Sequence, residues 1–531
     1  MHNTFSYAPR YAVERVPVFA RNMVATSQPL AAQAGLRMLL RGGNAVDAAL
    51  AAAIALTVVE PTGNGLGSDA FAIVWDGSAL HGLNASGRAP AGWTPERFAG
   101  LDRMPQRGWE SVTTPGAVSA WTSLSQKFGR LPFADLFEPA LAYARDGFAV
   151  TPHIAALWQA GGDILREQPG FADHFLPGGR APAIGATHRN AAIATSLEAI
   201  AATQGDAFYT GALAERIAAF AAEHGAALSL DDLAAHRADW CGTISSRYRG
   251  VDLHEIPPNG QGIVALMALG ILEQTEIHTL GADSVEALHL QIEAIKLAMA
   301  DAERFVGDGD AMRVGSEALL DPAYLAARAA LIDRRQAGDP GAGAPRQGGT
   351  VYVTAADASG MMVSYIQSNF AGFGSGIVVP GTGIHLQNRG SGFTLEPGHP
   401  NRVGPRKRPF HTIIPGFLMG PGGPLMSFGV MGGPMQAQGH VQMVLRTQSF
   451  GQDPQSASDA PRWRFVAGRE VAVEWNMPEA TVAGLAALGH EIGRETPDHS
   501  FAFGGAQLIA RSGDGYVAGS DHRKDGQAVG F

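Results

Sequence analysis

The sequence is short of cysteine, of charge and of long apolar runs, and each shortage excludes something. Cys241 is the only cysteine in 531 residues, so an internal disulfide and a cysteine metal cluster are both ruled out. Nothing demands an oxidising compartment. Charged residues make up 17% of the chain, and the net charge of -10 carries no long run of either sign, which argues against nucleic acid as a partner. The one basic cluster, Arg402, Arg406, Lys407 and Arg408, reads as a loop feature. No apolar stretch reaches the roughly 18 to 20 clean residues of a membrane span. The longest, such as Ala45 to Val59, is alanine-rich and contains Asp47, so it reads as a buried helix. Met1 to Tyr7 has neither a basic n-region nor an apolar h-region, which predicts a cytoplasmic protein without a signal peptide. There is no His-Glu-x-x-His, no Gly-x-Ser-x-Gly, no Walker loop and no Gly-x-Gly-x-x-Gly. Metal hydrolysis, elbow-type serine hydrolysis and nucleotide chemistry therefore lack their usual signatures, and no metal or cofactor is expected.

What is present is a threonine in an unusual setting. Arg346-Gln347-Gly348-Gly349-Thr350 runs straight into the strand-like Val351 to Asp357. Gly-Gly before a strand is ordinarily a loop. A threonine that opens a strand after a glycine is also where a self-cleaving precursor would expose an N-terminal nucleophile. Gly349 offers an unhindered carbonyl to the Thr350 hydroxyl, and after cleavage Thr350 would carry both a hydroxyl and a free α-amino group able to act as its base. Gln336 to Pro345, rich in glycine, alanine and proline, has the composition of a flexible linker, as accessible cleavage would need.

Periodicity divides the chain at about this point. Before it, helices are predicted over Pro29 to Leu40, Ala45 to Val58, Leu136 to Ala144, Ala191 to Ala202, Ala212 to Glu223 and Val285 to Phe305. Pro29 suits a first turn and Asn44 an N-cap. Ala70 to Trp75 reads as a strand. After it, Val351 to Asp357 and Met361 to Ser368 form a predicted hairpin about Ser359-Gly360. Thr412 to Leu418, Leu425 to Val430, Glu470 to Glu474 and Gly505 to Ala510 continue as strands, with helices at Met435 to Thr447 and Pro478 to Leu488. Two sheets stacked between helical layers would account for this alternation. Gly429 to Pro434 ends a strand in Gly432-Gly433 before a helix, a turn whose amides could face a carbonyl oxygen.

Landmarks along the chain resemble those of the gamma-glutamyltranspeptidase family of N-terminal nucleophile hydrolases. They run in order from Gly42-Gly43-Asn44-Ala45-Val46-Asp47 through Val59-Glu60-Pro61, Pro115-Gly116, Phe208-Tyr209-Thr210-Gly211, Pro257-Pro258, Gly349-Thr350, Phe373-Gly374-Ser375-Gly376, Lys407-Arg408-Pro409, Gly432-Gly433 and Ala460-Pro461-Arg462 to Gly519-Ser520-Asp521 with Arg523. The resemblance implies an α+β fold, a four-layer αββα sandwich with a helical lobe from the N-terminal fragment. It also implies self-cleavage into fragments 1-349 and 350-531 that stay together as one catalytic unit, with a further homodimer left open. Thr350 would be the nucleophile, Gly432 and Gly433 the oxyanion glycines, and Ser368 the hydroxyl that hydrogen-bonds the nucleophile.

Departures from the family pattern point to the substrate. Where gamma-glutamyl enzymes hold the donor's carboxylate with an arginine, the matching stretch is Ser86-Gly87-Arg88-Ala89-Pro90, the arginine displaced by two positions. The family's acidic residue for the substrate ammonium is here Gly392, its glutamine three residues earlier is Arg389, and its two serines after Lys-Arg-Pro are His411-Thr412. An ammonium would lack its carboxylate and meet a cation. Taken singly, His411, His440 and His499 read as structural. The resemblance is nearest to the acylase-type branch that includes oxamate amidohydrolase. It implies hydrolysis of a small carboxylated amide, oxamate first, with Arg88, Arg389, His411 and Thr412 as substrate-binding residues. Alternatives are an acylase for larger carboxyacyl amides, a glutathione hydrolase, and an unprocessed scaffold.

Overall fold

The computed structural model describes residues 15–341, 349–496 and 502–531. Residues 342–345 of the expected linker, the 346–348 stretch before Gly349, and His499 lie outside the described residues. Two seven-stranded sheets stack face to face. The first runs, edge to edge, Val18–Ala20, Gly515–Ser520, Ala506–Ser512, Gly423–Val430, Gly416–Gly420, Val251–Glu255 and Ile244–Tyr248. The second runs Gln527–Gly530, Met23–Thr26, Gly349–Ala356, Met362–Phe370, Asp69–Trp75, Leu80–Asn84 and Asp239–Trp240. Neighbouring strands are antiparallel in both. Met23, Phe71, Tyr352 and Ile366 on one sheet meet Phe417, Ile509 and Tyr516 on the other to form the central core.

A helical layer covers each outer face, completing the αββα sandwich. Over the second sheet lie Pro29–Leu40 and Ala45–Val59. All 15 residues of Ala45–Val59 are buried, which its small, apolar, all-round composition permits. Asn44 caps it in a capping box with Asp47, satisfying amides that would otherwise be orphaned. Over the first sheet lie Gly262–Glu273, Val285–Phe305 and Met435–Val444. Both sheets contain strands from both sides of Gly349-Thr350. In the second, Gly349–Ala356 sits between Met23–Thr26 and Met362–Phe370.

Several segments differ from the sequence reading. The strand expected at Thr412 to Leu418 begins only at Gly416, because the backbone just before it is claimed by side chains: Gln261 donates to the Thr412 carbonyl and Ile414 N–H donates to Gln436. The helix expected to Thr447 is α-helical to Val444 and then widens to a π-turn over Leu445–Ser449. Leu136 to Ala144 is split, a 3-10 turn at Phe133–Phe137 preceding a helix at Glu138–Asp146. The start of the expected linker is docked. Ala337 N–H donates to Leu488 O (2.7 Å), Gly338 N–H donates to Glu293 (3.0 Å) and Lys296 donates to Gly338 O (2.9 Å).

Candidate active site

A register change in the second sheet builds the site. Gly349 pairs with Phe370 and Val351 with Gln367, so the partner strand spends one residue more than the Thr350 strand. Such a bulge re-aims side chains, and here it falls at Ser368–Asn369, across from Thr350. Thr350 Oγ1 lies 3.1 Å from Ser368 Oγ, and Ser368 Oγ lies 2.6 Å from the Gly349 carbonyl oxygen. Gly349 leaves little room at the junction, since a Cβ there would meet Thr62 O at 3.0 Å and Gly63 Cα at 3.3 Å. Thr350 and Ser368 are buried.

Arg389 joins this pair from a 3-10 turn, Arg389–Gly392. Its Nη2 donates to Ser368 Oγ (2.7 Å) and its Nη1 to Thr412 Oγ1 (2.8 Å). The guanidinium stacks on the Phe370 ring, 4.7 Å from its centroid. Phe370 itself has φ +77°, a left-handed conformation that costs a non-glycine residue on the order of 1–3 kcal/mol. The strain is held where the ring meets Arg389 and the Phe370 N–H meets Ser368 Oγ (2.8 Å). Arg389 is 1% exposed, its Nε has no partner, and among the described residues no carboxylate lies within ion-pair distance. Burial pushes its pKa down to about 9, with Asp69 opposing the shift.

Asp69 is the residue that the sequence reading missed. It is fully buried at the start of the strand Asp69–Trp75, in register with Ser368. Its carboxylate accepts from Gly87 N–H (3.1 Å) and faces His411 Nε2 at 3.1 Å. Because His411 Nδ1 accepts from Ile413 N–H, Nε2 carries the proton and donates to Asp69. Burial raises the Asp69 pKa to about 7 against the pull of Arg389 and Arg408, while burial and those same cations hold His411 well below its usual value. The imidazole is neutral. A buried aspartate paired across 342 residues leaves no periodic trace, and its one local signal was the position after the Gly63–Gly67 loop.

Gly432 and Gly433 adopt φ of +121° and +62°, values that favour glycine. Both are buried, and neither N–H has a hydrogen-bond acceptor among the described residues. Gln261 Nε2 donates to Gly433 O (2.9 Å) as well as to Thr412 O. Gln436 Nε2 reaches Thr350 Oγ1 at 3.4 Å. These two glutamines tie the glycine turn to the nucleophile and to the Thr412 segment. Thus Gly349, Thr350, Ser368, Arg389 and Thr412 form one network, with His411 beside it through Asp69. Arg88 is not joined to it: its half-exposed guanidinium pairs with Asp308 (3.4 Å) and Asp239 (3.9 Å) and donates to Arg406 O.

One group among the described residues could hold a metal ion, His289, Glu293 and His490, whose ligand atoms lie within 4.8 Å of one another. Lys296 already sits 2.8 Å from Glu293 Oε1, and His289 Nε2 donates to Asp333 O. The group shares no hydrogen bond with Thr350.

The gamma-glutamyltranspeptidase family model matches residues 31–531. The glutathione hydrolase-like YwrD proenzyme of Bacillus subtilis is 36% identical, over 96% of this chain and 98% of that protein. The oxamate amidohydrolase proenzyme of Klebsiella pneumoniae is also 36% identical, over 97% and 99%. Among solved structures, a cephalosporin acylase from Bacillus halodurans superposes with a TM-score of 0.95 at 46% identity, covering 100% of this chain and 99% of the other. With its fold, its landmarks and these relatives in agreement, the chain belongs to the gamma-glutamyltranspeptidase family and is an enzyme acting on amide C–N bonds.

Proposed function

We propose that the protein is a self-processing N-terminal threonine amidohydrolase for a short carboxylated acyl group, with oxamate, split to oxalate and ammonia, as the leading substrate. Self-cleavage at Gly349-Thr350 would leave fragments 1-349 and 350-531 held together by sheets to which both contribute strands. Both curated relatives above are named as proenzymes. In turnover, the freed Thr350 amine would take the hydroxyl proton as Oγ1 attacks the amide carbon, and the Gly432 and Gly433 N–H groups would receive the oxyanion. Collapse would pass the proton to the leaving amine. Water would then release the acid from the Thr350 ester.

The observation that carries the substrate is the place of Arg389. Its guanidinium is separated from Thr350 Oγ1 only by the Ser368 hydroxyl, through contacts of 2.7 and 3.1 Å, so a carboxylate held there would stand beside the scissile carbonyl. A two-carbon oxalyl group meets that requirement, whereas the far carboxylate of a five-carbon acyl chain would overshoot it. Gly392 argues against an α-amino donor. A Cβ there would meet Phe410 O at 2.7 Å, so the carboxylate of gamma-glutamyl enzymes is excluded by backbone as well as missing. Arg88, already paired with Asp308 and Asp239, is assigned a lesser role. A second reading, an acylase for larger carboxyacyl amides, is favoured by the 46% identity to the cephalosporin acylase. The single free cysteine fits a cytoplasmic enzyme, and no described helix is long and apolar enough to cross a membrane.

Incubating processed protein with oxamate, a glutaryl amide, glutathione and a γ-glutamyl anilide, and measuring released amine or ammonia, tests this reading. Oxamate is expected to be turned over best, and the Thr350→Ala protein is expected to stay one chain without activity. A γ-glutamyl donor that proved best would overturn the assignment.

A further inference from the structure

The uncut chain holds its own scissile carbonyl against a particular donor. Four groups surround Ser368 Oγ: Gly349 O at 2.6 Å, Arg389 Nη2 at 2.7 Å, Phe370 N at 2.8 Å and Thr350 Oγ1 at 3.1 Å. A hydroxyl has one proton and two lone pairs. The two N–H groups can only donate, and at these distances they occupy both lone pairs. The proton is left for an acceptor, and the nearest is the Gly349 carbonyl oxygen. The Thr350 hydroxyl also donates toward Ser368 Oγ, in the longest of the four contacts (3.1 Å), while the Ser368 proton stays on Gly349 O. The Gly432 and Gly433 amides, meanwhile, engage no acceptor among the described residues, Gly349 O included, so they do not hold this carbonyl.

From this we infer that Ser368, polarised by the Arg389 guanidinium behind it, is the hydrogen-bond donor that activates Gly349 for self-cleavage, and that Arg389 is a positioning residue for processing as well as a substrate anchor. The inference rests on the reading that the chain cuts itself at this bond. As Thr350 Oγ1 bonds to the Gly349 carbon, the carbonyl π pair moves onto an oxygen that faces the Ser368 O–H. A buried cation next in line favours the donation. Collapse breaks the Gly349 C–Thr350 N bond, the threonine hydroxyl proton ends on that nitrogen, and an ester remains. Water then adds to the ester carbon, releasing Gly349 as a carboxylate and a proton while restoring the Thr350 hydroxyl. Once Gly349 has gone, the Ser368 proton is free to turn to Thr350. The hydroxyl thus changes from carbonyl donor in the precursor to partner of the nucleophile in the mature enzyme.

The test is the rate at which purified full-length precursor, followed by intact mass, converts to fragments 1–349 and 350–531. Loss of one oxyanion donor typically costs about 100- to 1,000-fold, so Ser368→Ala is expected to process about 100-fold more slowly or worse and Ser368→Thr near the wild-type rate. Rates should fall in the order Arg389, Arg389→Lys, Arg389→Met, with at least a tenfold loss for methionine while Tm holds. Added methylguanidinium should accelerate an Arg389→Ala precursor, a rescue that a merely structural role would not produce. Should Arg389→Met fail to fold, the Ser368→Ala and Ser368→Thr pair decides alone. Cleavage of Ser368→Ala at the wild-type rate would overturn this assignment and leave the processing reading standing. A folded wild-type chain that never splits would overturn both.

Discussion

Two buried arginine sites in this protein differ in what surrounds them. Arg523 and Arg462 form a closed cluster with Asp521 and Glu474: Arg523 donates to Glu474 at 2.6 and 2.5 Å and to Asp521 at 3.1 Å, and Arg462 donates to Asp521 at 2.6 Å. The Asp521 pKa falls and that of Arg523 rises, while burial and the Arg523 charge lower that of Arg462 against the pull of Asp521 and Glu474, so each arginine there has a carboxylate in contact. Arg389 is equally buried, but its bonded partners among the described residues are two hydroxyls and no carboxylate, and burial lowers its pKa with Asp69 alone opposing. A buried cation without a matched anion is costly. A fold retains such a charge where the missing anion arrives from outside, and Arg389 sits one hydroxyl away from Thr350. The closed cluster, by contrast, clamps the turn after Gly515–Ser520 to the Ser458–Arg462 loop and touches no reacting atom.

Opposite consequences should follow from breaking each site. Removing one partner of a buried ion pair costs about 3–5 kcal/mol, so Asp521→Ala is expected to lower stability by that amount in urea unfolding, or to prevent soluble expression. Arg389→Met, which deletes a charge lacking a carboxylate partner, should leave the unfolding midpoint unchanged or raise it. The order reverses for activity. Leaving a substrate carboxylate without its buried partner should reduce kcat/KM for oxamate on the order of a hundredfold or more, measured on the processed fraction of Arg389→Met. An Arg389→Met protein that unfolded as readily as Asp521→Ala would erase the distinction between the two sites.

That distinction was only half legible in the sequence. Arg462, Asp521 and Arg523 stood out as landmarks, but nothing local said that they face one another. Arg88 and Arg389 were both candidates for the carboxylate anchor, Arg389 the firmer. Pairing with Asp308 and Asp239 takes one of them out of the network, and a register change in the second sheet brings the other into it. The helices were readable because their signals are local: Ala191–Ala202, Ala212–Glu223 and Val285–Phe305 end where apolar periodicity ends. The Thr412 segment was not, because its backbone partners are glutamine side chains from two distant helical turns. Asp69 was invisible for the same reason, its meaning lying in His411 and Arg389 on the far side of the chain.

The smallest expected effect sharpens the reading of Arg389 as a charge poised for an anion. Asp69 is held near pKa 7 by burial, above the ordinary aspartate value of 3.8. Its neutral form is thus the one the fold favours: any stability it contributes is present in acid and is lost as pH rises through about 7. Function should follow the same titration. Below that pH, Arg389 faces a neutral Asp69 and a neutral His411, and its charge is available to a substrate carboxylate. Above it, the Asp69 carboxylate, which Arg408 favours as Arg389 does, offsets the guanidinium and repels the incoming anion. The KM for oxamate should therefore rise several-fold between about pH 6 and about pH 8.5, an energy of about 1 kcal/mol. Meanwhile kcat climbs as the Thr350 amine, with an ordinary pKa of about 7.7 to 8.0, loses its proton. Asp69→Asn should flatten the KM profile and leave the kcat profile in place. A KM that stayed constant across this range in the wild type, or rose equally in Asp69→Asn, would show that Asp69 does not set the charge Arg389 presents to the substrate.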